Sequence, residues 1–334
     1  MKPTNTPLPL RILSRSHVQS LLTMQDAIAA MRSAFVQLAG GQAMVPLRTH
    51  LRLPLREAEA LFMPVFLAEQ QLAGLKMVGL HPFNPAEGQP FIQASMLVMD
   101  ALSGRPVGLV EASLLTAMRT GAASGLATQL LAPEQARVLA VFGTGAQAPF
   151  QIEAVCCVRP IEEVWVFGTS VEKSQAFIAR QAPKYSCRFY AATELKALRR
   201  AEIICTATNA NNPLFETSHL RAGVHINAIG AYRPDMAEIP PEVVARSRLY
   251  VDQREACLKE AGDITQAIEG GYIRPTHIQA ELGELLLHSG KGRKNPAETT
   301  LFKSVGNAAQ DLACAAALLK KAAAREVGTL VAMG

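Results

Sequence analysis

The most constraining stretch of the chain is Val138-Leu-Ala-Val-Phe142, followed by Gly143-Thr144-Gly145-Ala146-Gln147-Ala148. An apolar run that ends in G-x-G and opens into a helical pattern reads as strand, tight turn and helix, the form of turn that brings backbone close to phosphate. Gly143 permits the turn after the strand. Gly145 leaves backbone uncovered for a pyrophosphate to approach, and Ala148 stands where a third glycine would, small enough for close helix–sheet packing. The helix N-terminus then offers free N–H groups and positive dipole to an anion. The alternative is an ordinary βα turn that uses glycine only for backbone freedom. The downstream context favours phosphate: apolar runs at about 163–167, 202–206 and 225–229 alternate with helical patterns, as in a parallel sheet. The expectation is a Rossmann domain that binds a nicotinamide dinucleotide.

The second strand, Val164-Trp-Val-Phe167, runs into Gly168-Thr169-Ser170. An NAD-type site usually places Asp or Glu here for the ribose hydroxyls. No carboxylate stands at this tip, which permits a 2′-phosphate and makes NADPH the preferred expectation, with NADH the alternative. Thr169 and Ser170 can donate hydrogen bonds and Lys173 can supply charge. Equally, Thr169 and Ser170 can simply cap the next helix.

Upstream, residues 16–40 read as one helix, with Leu21, Leu22, Ile28, Met31, Phe35 and Leu38 at roughly helical spacing and Gly40-Gly41 as its stop. From about 45 to 110, short apolar runs such as LFMPVFL, LAGLKMVGL and ASMLVMD predict an antiparallel or mixed sheet. An Ala-rich helix follows over 111–131, and helical pattern returns at 308–325, a last helix expected to pack back on the first domain. Within this framework Arg48, Lys76 and Arg119 sit in apolar or small-residue settings with no acid nearby in sequence. A cation on a buried strand or helix needs a counter-charge. An anionic ligand can supply it, since guanidinium groups fork onto a carboxylate and lysine is a point charge that can also donate a proton. The alternative is three unrelated side chains that snorkel to water or find Asp and Glu elsewhere.

Composition excludes other classes. The 33 Lys and Arg residues are scattered, the net charge is only +5 and aromatics are 5%, so nucleic-acid binding has little support. The six cysteines and seven histidines show no metal-ligand spacing, so no metal is expected, and the thiols read as buried groups in a reducing compartment. The opening MKPTNTPLPLRIL lacks the apolar core of a signal peptide, and no apolar run is long enough to span a bilayer, giving a cytoplasmic expectation without membrane contact. At 334 residues and 49% hydrophobic the chain can build two domains, and its 18% charged residues leave room for an oligomer interface.

The segments LTAMRTGAASGLAT, VFGTGAQA, INAIGAYRPDMAEI, LYVDQREACLKEAGD, IQAELGELL and TTLFKSVGNAAQDL resemble those of the ornithine cyclodeaminase/μ-crystallin family from about residue 10 to 320. The resemblance implies an α/β chain: a Rossmann domain, here 126–304, inserted into a second αβ domain, here 1–125, that binds substrate and forms a homodimer, with 305–334 returning to it. It also implies that Arg48, Lys76 and Arg119 grip the carboxylate of an amino or imino acid. By the same resemblance, Thr206-Ala-Thr208-Asn209 lies along the cofactor and Val305-Gly306-Asn307 near the nicotinamide.

The family includes several activities, and the departures discriminate. Cyclodeaminases and family alanine dehydrogenases carry a catalytic Asp where this chain has Tyr232, in Gly230-Ala231-Tyr232-Arg233-Pro234-Asp235. Cyclodeaminases also tend to carry Glu where Leu61 stands. The run from Arg233 to Glu238 is similar to the ketimine reductase and μ-crystallin branch. The expectation is therefore NAD(P)H-dependent reduction of Δ1-pyrroline-2-carboxylate and/or Δ1-piperideine-2-carboxylate to L-proline or L-pipecolate, with Lys76 and Arg119 at the reacting end. The rivals are an ornithine cyclodeaminase or alanine dehydrogenase using Asp235, and a non-catalytic protein that binds dinucleotide and a small carboxylate.

Overall fold

The computed structural model describes residues 9–333. Residues 1–8, most of the opening segment read for a leader, lie outside the described residues. The chain divides into two compact units, one of residues 1–119 with 307–334 and one of residues 120–306.

The first unit begins with β1 (Leu10–Leu13), α1 (Arg15–Leu21) and α2 (Met24–Ala39). The single helix expected over 16–40 is thus two. Leu22 is extended, and Thr23 caps α2: its hydroxyl accepts from the Asp26 N–H at 3.2 Å, and the Asp26 carboxylate accepts from the Thr23 N–H at 3.0 Å. This reciprocal cap restarts the helix inside an apolar periodicity that runs through the break. Next come β2 (Ala43–Met44), β3 (Thr49–Leu53), β4 (Ala58–Leu67), β5 (Leu72–Leu80), β6 (Ile92–Asp100) and β7 (Pro106–Glu111), then the long helix α3 (Ala112–Leu131). β4 to β7 pair antiparallel in succession and β1 joins β7 in parallel, making the sheet mixed.

Strand alternation sorts the side chains of this sheet onto two faces. Met63, Lys76 and Met96 are cross-strand neighbours on one; Phe62, Met77 and Ser95, and beside them Pro64, Leu75 and Leu97, line the other. The first face is buried. On the second, Met77 is 50% and Leu97 39% exposed, so the sheet is apolar on both sides.

The second unit carries β8 (Val138–Phe142), α4 (Ala148–Val158), β9 (Glu163–Phe167), α5 (Val171–Gln181), β10 (Arg188–Ala191), β11 (Ile203–Thr206) and β12 (His225–Ala228). It continues through α6 (Pro241–Arg246), β13 (Arg248–Val251), α7 (Arg254–Glu260), α8 (Gly262–Glu269), β14 (Ile278–Glu281), α9 (Leu282–Leu287) and β15 (Thr300–Lys303). The strands form one parallel sheet in the order β10-β9-β8-β11-β12-β15-β13-β14. The order turns back between β8 and β11, the switch point where such sheets open a crevice at the carboxyl ends of their strands. β11 and β12 are buried along their whole length, the signature of a sheet covered on both faces.

The chain then re-enters the first unit with α10 (Ala308–Ala324) and β16 (Thr329–Val331). α10 packs on α2, β4 and β5, and β16 pairs antiparallel with β1.

One buried histidine makes the second unit sensitive to acid. His225, on β12, holds Thr300 Oγ1 at 2.9 Å and Asn227 Oδ1 at 3.2 Å with its two ring nitrogens. Burial first, and the nearby Arg293 and Arg159, push its pKa down to about 3. The unfolded chain takes up a proton near pH 6.5 while the folded chain does not, so stability is lost as pH falls from there toward 3. Between pH 7 and pH 5 this single group accounts for about 2 kcal/mol. Urea unfolding at the two pH values checks it: His225→Gln starts less stable but loses about 2 kcal/mol less than wild type over the interval. Equal losses would remove His225 as the source.

Candidate active site

The glycine turn is built as the motif requires. Gly143 adopts φ +106°, and a Cβ there would lie 2.5 Å from the carbonyl oxygen of Ala207, at the end of β11. The Gly143 N–H donates to the Phe167 carbonyl and the Ala207 N–H to the Phe142 carbonyl, each at 2.9 Å, so the ends of β8, β9 and β11 are laced together. Gly145 is different: it is exposed, and a Cβ there would meet nothing within 4 Å. The protein's own packing does not demand glycine at 145, which suits a position kept bare for a ligand. Thr144 and Ala146 flank it, Ala148 is fully buried as α4 begins, and Gln147 Oε1 is buried without a hydrogen-bond partner. These residues fit a dinucleotide's pyrophosphate at the head of α4.

At the tip of β9, the capping use of the side chains is realised. Ser170 Oγ accepts from the Lys173 N–H at 3.3 Å and caps α5, while Lys173 Nζ donates to Thr169 Oγ1 at 3.1 Å. The Gly168 N–H donates to Ser174 Oγ at 2.9 Å, and a Cβ at 168 would crowd that oxygen at 2.6 Å. The sequence reading missed Glu172, in the first turn of α5, whose carboxyl is held below its ordinary value chiefly by a hydrogen bond with Ser170.

The loops after β11, β12 and β15 hang on buried carboxylates. Glu238 Oε2 accepts from Thr206 Oγ1 at 2.8 Å and the Gly230 N–H at 2.7 Å; Oε1 accepts from the Thr208 N–H and hydroxyl at 2.7 and 2.8 Å. Burial pushes the Glu238 carboxyl up, opposed by Lys303 and these hydrogen bonds. Thr206, expected along the cofactor, is wholly buried with its hydroxyl spent on Glu238, so it shapes the loop from behind. Thr208 stands at the loop itself but gives the same carboxylate both its donors. Asp263 binds the Glu238 and Ile239 N–H groups through Oδ1 and Lys303 Nζ through Oδ2, at 2.7 to 3.0 Å. Asp252 Oδ2 accepts from Ser304 Oγ and the Gly306 N–H, both at 2.7 Å, holding Gly306 at φ +77°. Val305 packs against the core, and Asn307 caps α10 through Oδ1 while its Nδ2 is buried without a partner.

The first unit holds the cations. Lys76 and Arg119 are 1% and 6% exposed. Their counter-charge is Asp311, in the first turns of α10: Oδ1 accepts from Lys76 Nζ at 2.8 Å and Arg119 Nε at 3.2 Å. Arg119 Nη1 also donates to Gln310 Oε1 at 2.7 Å. The sequence reading saw no acid near these cations because it lies 235 and 192 residues away. Burial lowers the Lys76 pKa to about 8, with Asp311 opposing and Arg119 and Arg48 assisting. Asp311 itself is held below the ordinary carboxylate range by the two cations against its burial. Arg48 is half-buried in the segment before β3. Lys76, Arg119 and Asp311 carry a formal excess of one positive charge, a setting for a small anion.

Leu61 is buried at 7% exposure. The Arg233 guanidinium lies over the Tyr232 ring at 5.7 Å and pairs with Asp235 at 3.0 Å, with Asp235 largely exposed. Asp235 is therefore a surface partner of Arg233. Among the described residues, no group of three or more His, Cys, Asp and Glu side chains is placed to hold a metal.

The family model for the ornithine cyclodeaminase/mu-crystallin family matches residues 10–326. A Δ1-pyrroline-2-carboxylate reductase of Bacillus cereus is 37% identical over 319 residues, covering 95% of this chain and 98% of the relative. The solved structure of Thermococcus litoralis Δ1-pyrroline-2-carboxylate reductase in complex with NADH and L-proline superposes with a TM-score of 0.92 at 37% identity, covering 96% of this chain and 99% of that one. An archaeal alanine dehydrogenase dimer with bound NAD superposes at 0.91 and 30% identity, covering 98% and 100%. Agreement over nearly the whole length makes the chain a member of the ornithine cyclodeaminase/mu-crystallin family.

Proposed function

We propose that the protein reduces cyclic ketimines bearing a carboxylate on the C=N carbon, Δ1-pyrroline-2-carboxylate and/or Δ1-piperideine-2-carboxylate, to L-proline or L-pipecolate. The observation that carries this reading is the buried Lys76–Arg119 pair, which shares one carboxylate and so stays net positive. A bound reduced nicotinamide dinucleotide supplies the hydride. Arg48, Lys76 and Arg119 grip the substrate carboxylate, which limits how the imine carbon can lie. Lys76, titrating near pH 8, is suited to give a proton to the ring nitrogen at neutral pH. Once that nitrogen is protonated, hydride addition needs no strong base, which agrees with Tyr232 at the place of a water-activating Asp. The engagement of Asp235 with Arg233 argues against the cyclodeaminase and alanine dehydrogenase alternatives.

The bare tip at 168–170 and Lys173 favour NADPH, and Glu172 beside Ser170 favours NADH. Parallel cells with NADH and NADPH, followed by absorbance with Δ1-pyrroline-2-carboxylate, test function and preference together. Loss of absorbance in either cell is the expected result. No loss in both, with ammonia released from ornithine, would overturn the reading; no turnover at all would leave a binding protein.

The apolar outer face of the first unit's sheet, with Phe62, Pro64, Leu75, Met77 and Leu97, is covered in this reading by a second copy of the chain. Sedimentation should give twice the 35.8 kDa chain mass for wild type and the single mass for a Met77→Glu/Leu97→Glu variant. A wild-type monomer would refute the dimer. Among the described residues no helix is long and apolar enough to cross a membrane, and the six thiols are outside disulfides, which supports a reducing, cytoplasmic setting.

A further inference from the structure

Asp311 has no part in the carboxylate grip as described, yet it is the group on which both buried cations converge. Its side chain is wholly inaccessible, its Oδ1 carries both cations, and its Oδ2 is buried with no hydrogen-bond partner. An apolar residue there would avoid that unpaired oxygen but would strand two buried cations, so the carboxylate acts through the charges it holds. Its placement allows this. Asp311 lies in the N-terminal turns of α10, where the helix dipole favours negative charge, and α10 packs on the strand that carries Lys76. From there one oxygen reaches a lysine on β5 and an arginine on α3 at once.

We propose that Asp311 is a positioning residue for ketimine reduction, which fixes Lys76 and Arg119 through a shared oxygen and keeps the lysine charged for the substrate carboxylate. This rests on the functional reading above. Two donors of Arg119 on different sides of the guanidinium are taken, Nε by Asp311 and Nη1 by Gln310, which sets the plane of the group. The Lys76 ammonium commits one of its N–H groups to the same oxygen, which sets the direction of the others. The groups that bear on the Lys76 charge are Asp311 from α10, Arg119 from α3 and Arg48 from the segment before β3; its strand neighbours Met63 and Met96 are uncharged. Two of the three charged groups oppose its protonation, so Asp311 is the one that sustains it. The Cys314 thiol, one turn further along α10, is pushed up by burial and by Asp311 and stays neutral.

The test combines a direct titration with a rate profile. In protein labelled with 13C at lysine Cε, the Lys76 resonance, assigned by its loss in Lys76→Arg, should titrate near pH 8 in wild type. In Asp311→Asn it should move down by at least one pH unit. The alkaline limb of kcat/KM for Δ1-pyrroline-2-carboxylate should move with it, the KM for the dinucleotide should stay within about twofold, and Asp311→Glu should restore part of the limb. A purely structural carboxylate predicts a lower Tm with limb and titration unmoved, which would overturn the proposal. Should Asp311→Asn not fold, Lys76→Arg decides: with a side chain that stays charged, the limb should vanish, and its persistence would overturn the proposal. Absence of turnover in wild type sinks the functional reading and this role together, whereas turnover with an unmoved lysine titration sinks the role of Asp311 alone.

Discussion

Lys76→Met is expected to lower kcat/KM for Δ1-pyrroline-2-carboxylate by about 10²- to 10³-fold while leaving the protein folded and able to bind dinucleotide. The two effects separate because of how the charges are arranged. Lys76 and Arg119 share one carboxylate. Removing the lysine leaves Asp311 paired with Arg119, so no buried charge is stranded, and methionine at 76 stands between Met63 and Met96 on the same sheet face. Removing one partner of a buried ion pair is costly when it strands the other charge; here Arg119 remains to pair Asp311, which limits that cost. In the proposed mode of binding, the substrate carboxylate, in contrast, loses a desolvated charged partner and the imine its proton source. Steady-state kinetics beside dinucleotide fluorescence titration and thermal melts would show it. A variant that keeps more than about a tenth of wild-type kcat/KM would remove Lys76 from the reaction.

The glycine turn yields the second large effect, as a contrast between two positions two residues apart. Gly143→Ala places a methyl 2.5 Å from the Ala207 carbonyl oxygen in a backbone conformation that L residues rarely adopt, and should destabilise the fold by about 3 kcal/mol. A Cβ at the exposed Gly145 meets nothing within 4 Å, so the Tm of Gly145→Val should stay close to wild type. Its side chain nevertheless fills the space left for the pyrophosphate, and NADH and NADPH affinity should fall at least about tenfold. If Gly145→Val bound dinucleotide as tightly as wild type, the turn would be one that uses glycine only for its own geometry. A destabilised Gly143→Ala beside a stable, non-binding Gly145→Val is the pattern that identifies a ligand-bearing loop.

Features that depend on local spacing were legible in the sequence. Short apolar runs predicted the first sheet, apolar runs alternating with helical patterns gave a parallel sheet, and the G-x-G turn gave its strand–turn–helix opening. The glycines at 143 and 145 were legible as a turn for phosphate, although the Ala207 carbonyl that excludes a Cβ at 143 comes from the end of β11. Resemblance added the proposed roles of Arg48, Lys76 and Arg119, and the absence of an acid at Tyr232. Where the sequence reading went astray locally, at Leu22-Thr23, apolar spacing ran through a capping box whose hydrogen bonds outweighed helix continuation.

What only the tertiary structure decided is the partnering of charge. Asp311 reads in sequence as one polar residue on an Ala-rich helix; folding brings it to Lys76 and Arg119 across more than 190 residues. Glu238 gathers Thr206, Thr208 and Gly230, and Asp252 gathers Ser304 and Gly306, each across a break in the chain. A buried charge is tolerated only where the fold supplies its complement, and that complement is set by which strand ends lie side by side. Sequence periodicity records which face of an element is buried but carries no record of what it is buried against. The cations could therefore be named from the chain alone, while the carboxylate that holds them became visible only when α10 packed onto β5.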